Sequence, residues 1–305
     1  MSPDQLLEAF PLLFLLLAGL VGLIVGSFLN VVILRLPVMM ERQWHRDCAA
    51  LLARGDVNSD VDSDSENSAA QGETTTHDDA FSLAFPASHC PQCHAPVRAW
   101  QNIPVLSYLL LRGRCASCRS PIGPRYPFVE LLTGLATLVV VLHAHSWPEL
   151  TALLMLTWSL IALAGIDIDT QLLPDDITLP LLWAGLLYNL FFGPVALADA
   201  VTGAAAGYLL LWSIYWAFKL ITGKEGMGYG DFKLLAALGA WLGWQSLPVI
   251  ILLSSLVGAV IGLSLILFQG RDRAQPMPFG PYLAVAGWIA LYWGNDVLRL
   301  LSLTP

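Results

Sequence analysis

Eight long apolar segments dominate the sequence and leave little room for a water-soluble fold. Most of them approach the ~20 residues that a helix needs to cross a bilayer. Of the 305 residues, 56% are hydrophobic and 12% are charged, too apolar a balance for one soluble core. The sequence therefore predicts an all-α polytopic membrane protein with about eight transmembrane helices. The segments lie near 10–34, 128–146, 148–166, 177–195, 198–218, 232–245, 247–268 and 279–301.

The basic residues predict the orientation of these helices. Nine arginines lie between the first two segments, three lysines lie around residue 225, and two arginines precede the last segment. With eight crossings, 14 of the 15 Lys and Arg residues fall on one side, which the positive-inside rule makes cytoplasmic. Both termini are then periplasmic. The first segment has no basic region before it and no cleavage site after it, which predicts a retained helix rather than a signal peptide.

One polar stretch separates the first helix from the rest. Residues 56–79 carry eight acids and no Lys or Arg, so this insert is predicted to be disordered and solvated. The predicted organisation is a first transmembrane helix at 1–36, a cytoplasmic loop at 37–127 and a helical bundle at 128–305. The balance of charge gives no indication of nucleic-acid binding.

The stretch from Glu225 to Phe232 interrupts the apolar sequence with glycines and delivers Asp231 to the start of a helix. A Gly-x-Gly-Asp string is a weak signal alone, because Asp is a common helix N-cap. An ionisable side chain at the mouth of a membrane helix is nevertheless a functional candidate. Gly228 and Gly230 would let the backbone approach an extended substrate.

Four further acids could provide a second carboxylate at the same membrane depth. Asp167 and Asp169 end the third segment, about 200° apart around a helix, so only one can face the bundle. Asp167 continues the apolar stripe of residues 160, 163 and 164, which favours it. Asp175 and Asp176 follow Pro174 and are suited to the start of the next helix.

Two neighbouring carboxyls share a proton and can hydrolyse a peptide bond. The ionised member activates water, while the protonated member supports the oxyanion and the leaving amine. All six His lie at or before residue 145, and no His-Glu-x-x-His string is present, which disfavours the other protease classes. A cation or proton-coupled transporter using carboxylates at the membrane rim is the alternative, and a zinc-ordered scaffold is a third.

Two Cys-x-x-Cys pairs, separated by 21 residues, predict a zinc-ribbon-like site in the cytoplasmic loop. Disulfides are disfavoured because the cytoplasm keeps thiols reduced. His89 and His94 are treated as neighbours, since four thiolates already complete a tetrahedral shell. The predicted ligands are Cys90, Cys93, Cys115 and Cys118.

The polar residues near the end of the first segment can be explained by helix packing alone. Gly26 and Ser27 would allow a close helix approach, Asn30 would bond across an interface, and Arg35 would reach the lipid headgroups. Glu130 is ambiguous between a charge that suits the start of a helix and a functional group. The apolar stretch from Trp100 to Tyr108 is expected against the membrane or the bundle.

Taken together, these motifs resemble those of the type IV prepilin leader peptidases, a bifunctional family of Gly-x-Gly-Asp aspartyl proteases. The resemblance covers nearly the whole chain. It rests on residues 26–30, the paired Cys-x-x-Cys, and the stretches 100–108, 125–130, 167–175, 228–233 and 278–282.

The resemblance implies an activity and its residues. Asp167 and Asp231 would be the catalytic pair, supported by Gly228, Gly230, Pro174 and Asp175, and the four Cys would bind structural Zn²⁺. Prepilins and type II secretion pseudopilins would be cut after a glycine at the cytoplasmic face of the bacterial inner membrane. The new N-terminus would then be methylated by S-adenosylmethionine, whose binding site no motif here reveals.

Overall fold

A computed structural model describes residues 2–56, 81–224, 226–269 and 277–300. The acidic insert lies almost wholly outside the described residues, as does Glu225. The described part of the chain is helical, with two isolated β-bridges as its only extended pairings. The helices are α1 Pro3–Ala9, α2 Pro11–Asp56, α3 Leu106–Leu110, α4 Arg125–His143, α5 Trp147–Thr170, α6 Asp175–Phe191, α7 Leu197–Thr222, α8 Tyr229–Leu242, α9 Leu247–Gln269 and α10 Gly280–Leu300.

Each predicted apolar segment forms a helix, namely α2 and α4 to α10. Within the described ranges, five helices are long and apolar enough to cross a membrane: α2, α4, α5, α7 and α9. The chain is therefore an all-α membrane protein. The number of eight crossings stays a prediction, because α6 and α8 have only 17 and 14 residues.

The first long helix does not end where the sequence predicts. α2 continues through Pro37 to Asp56, so the loop expected from residue 37 begins as helix. Residues 38–53 include Met, Glu, Arg, Gln, Ala and Leu, which favour helix and carry it past the proline. A short helix, α1, precedes it and begins with a capping box between Ser2 and Gln5.

The short helix α8 is the centre of the main core. Every residue from Asp231 to Trp241 is buried except Lys233, because α6, α7 and α10 surround the helix. Gly203 of α7 and Gly239 of α8 face each other so closely that a Cβ on either would overlap the other backbone. From Leu234 to Leu242 this enclosed helix is apolar on all sides, as a buried helix is expected to be.

The end of α2 packs tightly against α4. A Cβ at Gly26 would lie 2.7 Å from Glu130 Cα, and Asn30 Nδ2 donates to the Tyr126 carbonyl oxygen at 3.1 Å. The close helix approach and the interhelical bond predicted for Gly26 and Asn30 are confirmed. Arg35 differs from the prediction: it donates to the carbonyls of Ser82, Leu83 and Pro86, and thereby holds the start of the following segment against α2.

Candidate functional site

Asp167 lies in the last turn of α5 with its side chain inside the bundle. It is 4% exposed, next to the fully buried Ile166 and one turn from the fully buried Leu163. Asp169 faces outward and forms an ion pair with Arg125 at 2.6 Å. The predicted orientation of the two carboxylates is confirmed, because helical periodicity places only Asp167 on the buried stripe.

Asp231 is the third residue of α8 and is 6% exposed. Its N–H donates to the carbonyl of Gly228, the N-cap residue, at 3.3 Å. The next residue, Phe232, is fully buried among the rings of Tyr208, Tyr215 and Tyr229, with centroid separations of 5.4–5.9 Å. This aromatic cluster fixes the first turn of α8 and therefore the position of the carboxyl.

The two aspartates converge on one place at the same end of the bundle. The Gly280 N–H, at the start of α10, donates to Asp167 Oδ2 at 2.9 Å. A Cβ on Gly280 would lie 3.2 Å from the Leu173 side chain, and a Cβ on Gly230 would lie 2.7 Å from it. Leu173 therefore lies next to Gly280, which binds Asp167, and next to Gly230, which precedes Asp231. The two carboxyls are also close enough to interact electrostatically. Residues separated by 64 positions in the sequence are brought together.

No Lys or Arg in the described ranges forms an ion pair with either aspartate. The polar partner that the structure gives Asp167 is the free N–H at the start of α10, where the helix dipole favours negative charge. Two buried carboxyls that lie close together without a cation cannot both ionise cheaply. This is the arrangement required for paired acid and base chemistry.

Sequence reasoning missed two features beside this pair. Asp175 of α6 and Lys233 of α8 form an ion pair at 2.7 Å, which ties together the starts of both helices. The second feature is the Gly280 N–H, which donates to Asp167 Oδ2. The sequence could have indicated Gly280 as a hydrogen-bond donor, since the first residue of a helix always has an N–H without a helical partner.

The four predicted cysteines form a single cluster. Their sulfur atoms lie within 4.8 Å of one another, with Cys90 and Cys118 at 3.8 Å and Cys93 and Cys115 at 4.0 Å. Zinc bound to four thiolates at about 2.3 Å gives sulfur separations of about 3.8 Å, so the cluster fits a tetrahedral ion. It is the only group of three or more metal-binding side chains found among the described residues.

Two equivalent turns build this cluster. The Cys90 N–H donates to the Ala95 carbonyl, the His94 N–H donates to the Cys90 carbonyl, and His94 has a φ of 56°. The second turn repeats these bonds: the Cys115 N–H donates to the Ser120 carbonyl, and the Arg119 N–H donates to the Cys115 carbonyl. Arg119 has a φ of 58°. A backbone N–H from Cys93 and one from Gln92 lower the pKa of the Cys90 thiol to about 6. Hydrogen bonds from Ser120 lower the pKa of Cys118. Both effects favour the thiolate form, which binds metal.

Two protein-family models match the N-terminal and the C-terminal parts of the chain. Residues 20–144 match the model of the bacterial peptidase A24 N-terminal domain, and residues 154–263 match that of the type IV leader peptidase family. A prepilin leader peptidase/N-methyltransferase of Aeromonas hydrophila is 54% identical over 97% of this chain and 96% of its own length. The chain belongs to the type IV leader peptidase family.

Other relatives of this family member carry the same name. The protein of Pseudomonas aeruginosa is 50% identical over 96% of this chain and 95% of its own length. The protein of Neisseria gonorrhoeae is 51% identical over 94% of this chain and 93% of its own. No solved structure matches the chain.

The two family models meet between α4 and α5. The second contains Asp167 and Asp231, and the first contains the four Cys together with Ser27, Asn30 and Glu130. The transporter alternative finds no support in these matches.

Proposed function

We propose that this membrane protein removes the leader peptide of type IV prepilins and pseudopilins and then methylates the new N-terminus. The names of its relatives, which align over nearly their full length, support both activities. The observation that carries the proteolytic half is the convergence of Asp167 and Asp231 at the start of α10.

In the proposed cleavage, Asp167 and Asp231 share one proton. The ionised carboxylate takes a proton from water, which attacks the carbonyl carbon after the leader's glycine. The protonated partner donates to the developing oxyanion and later to the leaving amine. Burial of both side chains excludes competing solvent and strengthens these interactions.

The supporting residues have distinct proposed roles. A Cβ at Gly228 would meet nothing nearer than 4.0 Å, so an extended substrate backbone can approach there. Gly230 instead permits close contact with Leu173. Pro174 is the N-cap residue of α6 and places Asp175 in its first turn, where Asp175 meets Lys233.

Loss of the Asp175 to Lys233 ion pair is expected to slow cleavage through the position of α8. Lys233→Met and Asp175→Asn should each lower kcat about tenfold with little change in KM, because small displacements of catalytic groups are costly. The pair is partly exposed, so global stability should change by less than about 1 kcal/mol. The measurement is steady-state cleavage kinetics. Single variants within twofold of wild type, or a charge-reversed double variant no better than either, would contradict this role.

Two cofactors are proposed, a structural metal ion and a methyl donor. We propose that the four Cys bind Zn²⁺ as a structural ion, which the separations of their sulfur atoms and the lowered pKa of Cys90 and Cys118 support. S-adenosylmethionine is the proposed methyl donor, used by the N-terminal domain, consistent with the relatives' names.

We propose that the protein resides in a bacterial inner membrane with its aspartates and cysteines facing the cytoplasm. The clustering of basic residues supports this orientation, and eight crossings would leave both termini in the periplasm. The proposed domain order is the first membrane helix, the cytoplasmic zinc loop and the peptidase bundle. The partners are the prepilin and pseudopilin substrates and the lipid bilayer.

The experiment that tests this function uses the full-length protein in detergent or liposomes, a prepilin and isotopically labelled S-adenosylmethionine. Mass spectrometry should show loss of the leader after its glycine and a gain of one labelled methyl group on the new N-terminal residue. An intact prepilin after prolonged incubation would reject the proteolytic half, and a cleaved but unlabelled product would reject the other half.

A further inference from the structure

Glu130 is a buried carboxylate that proteolysis does not use. It lies in the second turn of α4, is 8% exposed, and belongs to the N-terminal domain rather than to the peptidase domain. Its Oε2 accepts the Val105 N–H at 2.8 Å, and it interacts with the Ser27 hydroxyl. A carboxylate has about four accepting positions, so these two donors leave accepting capacity free.

No cation of the described chain neutralises this group. Arg125, on the same helix, pairs with Asp169 of α5, while Arg35 of α2 is bound to three backbone carbonyls. The neighbouring face of α2 offers Ser27 and Asn30, and the segment before α3 offers only the Val105 backbone. A nearly buried carboxylate without a cation is costly, and a bound ammonium group would offset that cost.

The Glu130 site lies at the same end of the bundle as the aspartates. Arg125 Nη2 donates to the Gly165 carbonyl at 3.4 Å. Gly165 lies two residues before Asp167 on α5, and Arg125 lies just over one turn before Glu130 on α4. Gly165 also contacts Ile33, one turn beyond Asn30. α2 and α4 thus pack against α5, the helix that carries Asp167, at the end where the new amino terminus would be created.

We propose that Glu130 binds the newly exposed α-ammonium group of the processed substrate and accepts its proton for N-methylation. This inference rests on the proposed methyltransferase function. The ammonium transfers one proton to the carboxylate. The freed nitrogen lone pair then forms the N–C bond as the S–C bond of the sulfonium donor breaks, and the electron pair remains on sulfur. Glu130 subsequently releases its proton to water.

A purely structural role makes a different prediction. Val105 has a φ of 57°, unusual for a β-branched residue, and its N–H bond to Glu130 could serve only to hold this turn. Gln at position 130 keeps an oxygen that accepts the same bond but cannot take a proton. Glu130→Gln therefore separates anchoring of the turn from acid and base chemistry.

The test uses full-length protein and a substrate peptide already lacking its leader, so that methylation does not depend on cleavage. At pH 6.5 Glu130→Gln should methylate about 100-fold more slowly than wild type, while cleaving an intact prepilin within about twofold of it. A free α-amine has a pKa of about 7.7–8.0. At pH 9 the amine is mostly neutral without help, so the deficit should shrink to about fivefold or less.

Binding provides a readout that does not depend on turnover. Wild type should bind the mature peptide at least about fivefold more tightly than its N-acetylated form, and Glu130→Gln should bind the two alike. Glu149→Gln is the matched control, because Glu149 lies in the first turn of α5 at the opposite end of the bundle. It should behave as wild type in every assay.

The outcomes separate the two levels of inference. Wild type that cleaves but never methylates would reject the methyltransferase function itself. If wild type methylates and Glu130→Gln matches it at pH 6.5, or is equally impaired in cleavage and methylation at every pH, the role proposed for Glu130 is wrong.

Discussion

Asp231→Asn is expected to abolish prepilin cleavage, with a loss of about 10⁴-fold or more in kcat. The amide keeps the shape of the carboxyl but cannot share a proton with Asp167, so both activation of water and protonation of the leaving amine are lost. Because Asp231 lies in the first turn of a helix fixed by Phe232 and its aromatic neighbours, the variant should retain its fold. Asp167→Asn should abolish cleavage to a similar extent for the same reason. It should also keep its fold, because the amide oxygen can still accept the Gly280 N–H.

Asp169→Asn is the matched control for this prediction. Asp169 lies two residues from Asp167 on the same helix but outside the core, where its loss removes only a partly exposed ion pair with Arg125. Cleavage should stay within about threefold of wild type. Initial rates on a purified prepilin, followed by mass spectrometry, provide the measurement. An active Asp167→Asn together with an inactive Asp169→Asn would reassign the catalytic residue.

The aspartate positions could be predicted because local periodicity decides them. Asp167 and Asp169 lie on opposite sides of any helix, and only one side of α5 carries the apolar stripe. The cysteine cluster was also predictable, since the Cys-x-x-Cys spacing itself defines the turn that presents two thiolates. In both cases a few consecutive residues contain the whole signal.

Non-local contacts could not be predicted in this way. The Asp175 to Lys233 pair joins residues 58 positions apart, and the Glu130 to Val105 bond depends on how the segment before α3 returns to the bundle. Neither partner carries a local pattern that selects the other. Glu130 was therefore ambiguous in the sequence, and its burial without a cation became apparent only when α2, α4 and the loop were brought together.

The end of α2 shows a different limit. The sequence predicts a first transmembrane helix that ends at residue 36, directly before Pro37, and proline disfavours a helix interior because it lacks an N–H and clashes with the preceding turn. The helix formers after it outweigh that cost, and α2 extends to Asp56. The segment from residue 81 is then held back against α2 by Arg35, an interaction with carbonyls that no side-chain pattern encodes.

Cys90→Ser is expected to remove the bound zinc and unfold the segment around the four cysteines. Among the described side chains of residues 81–124, Cys90 alone is buried, so this segment has almost no hydrophobic core to replace the ion. Structural zinc sites contribute about 10–16 kcal/mol of apparent binding free energy at pH 7, which here is folding free energy. Metal analysis should fall from one zinc per chain to none.

Limited proteolysis measures the structural consequence of that loss. Four arginines in the segment, at positions 98, 112, 114 and 119, are potential trypsin sites. Their cleavage should accelerate by about 100-fold or more in Cys90→Ser, and equally in wild type treated with a strong chelator. Cys48→Ser is the matched control, because Cys48 lies on α2 outside the cluster. A Cys90→Ser protein that keeps both its zinc and its resistance to trypsin would show that the four thiolates do not order this segment.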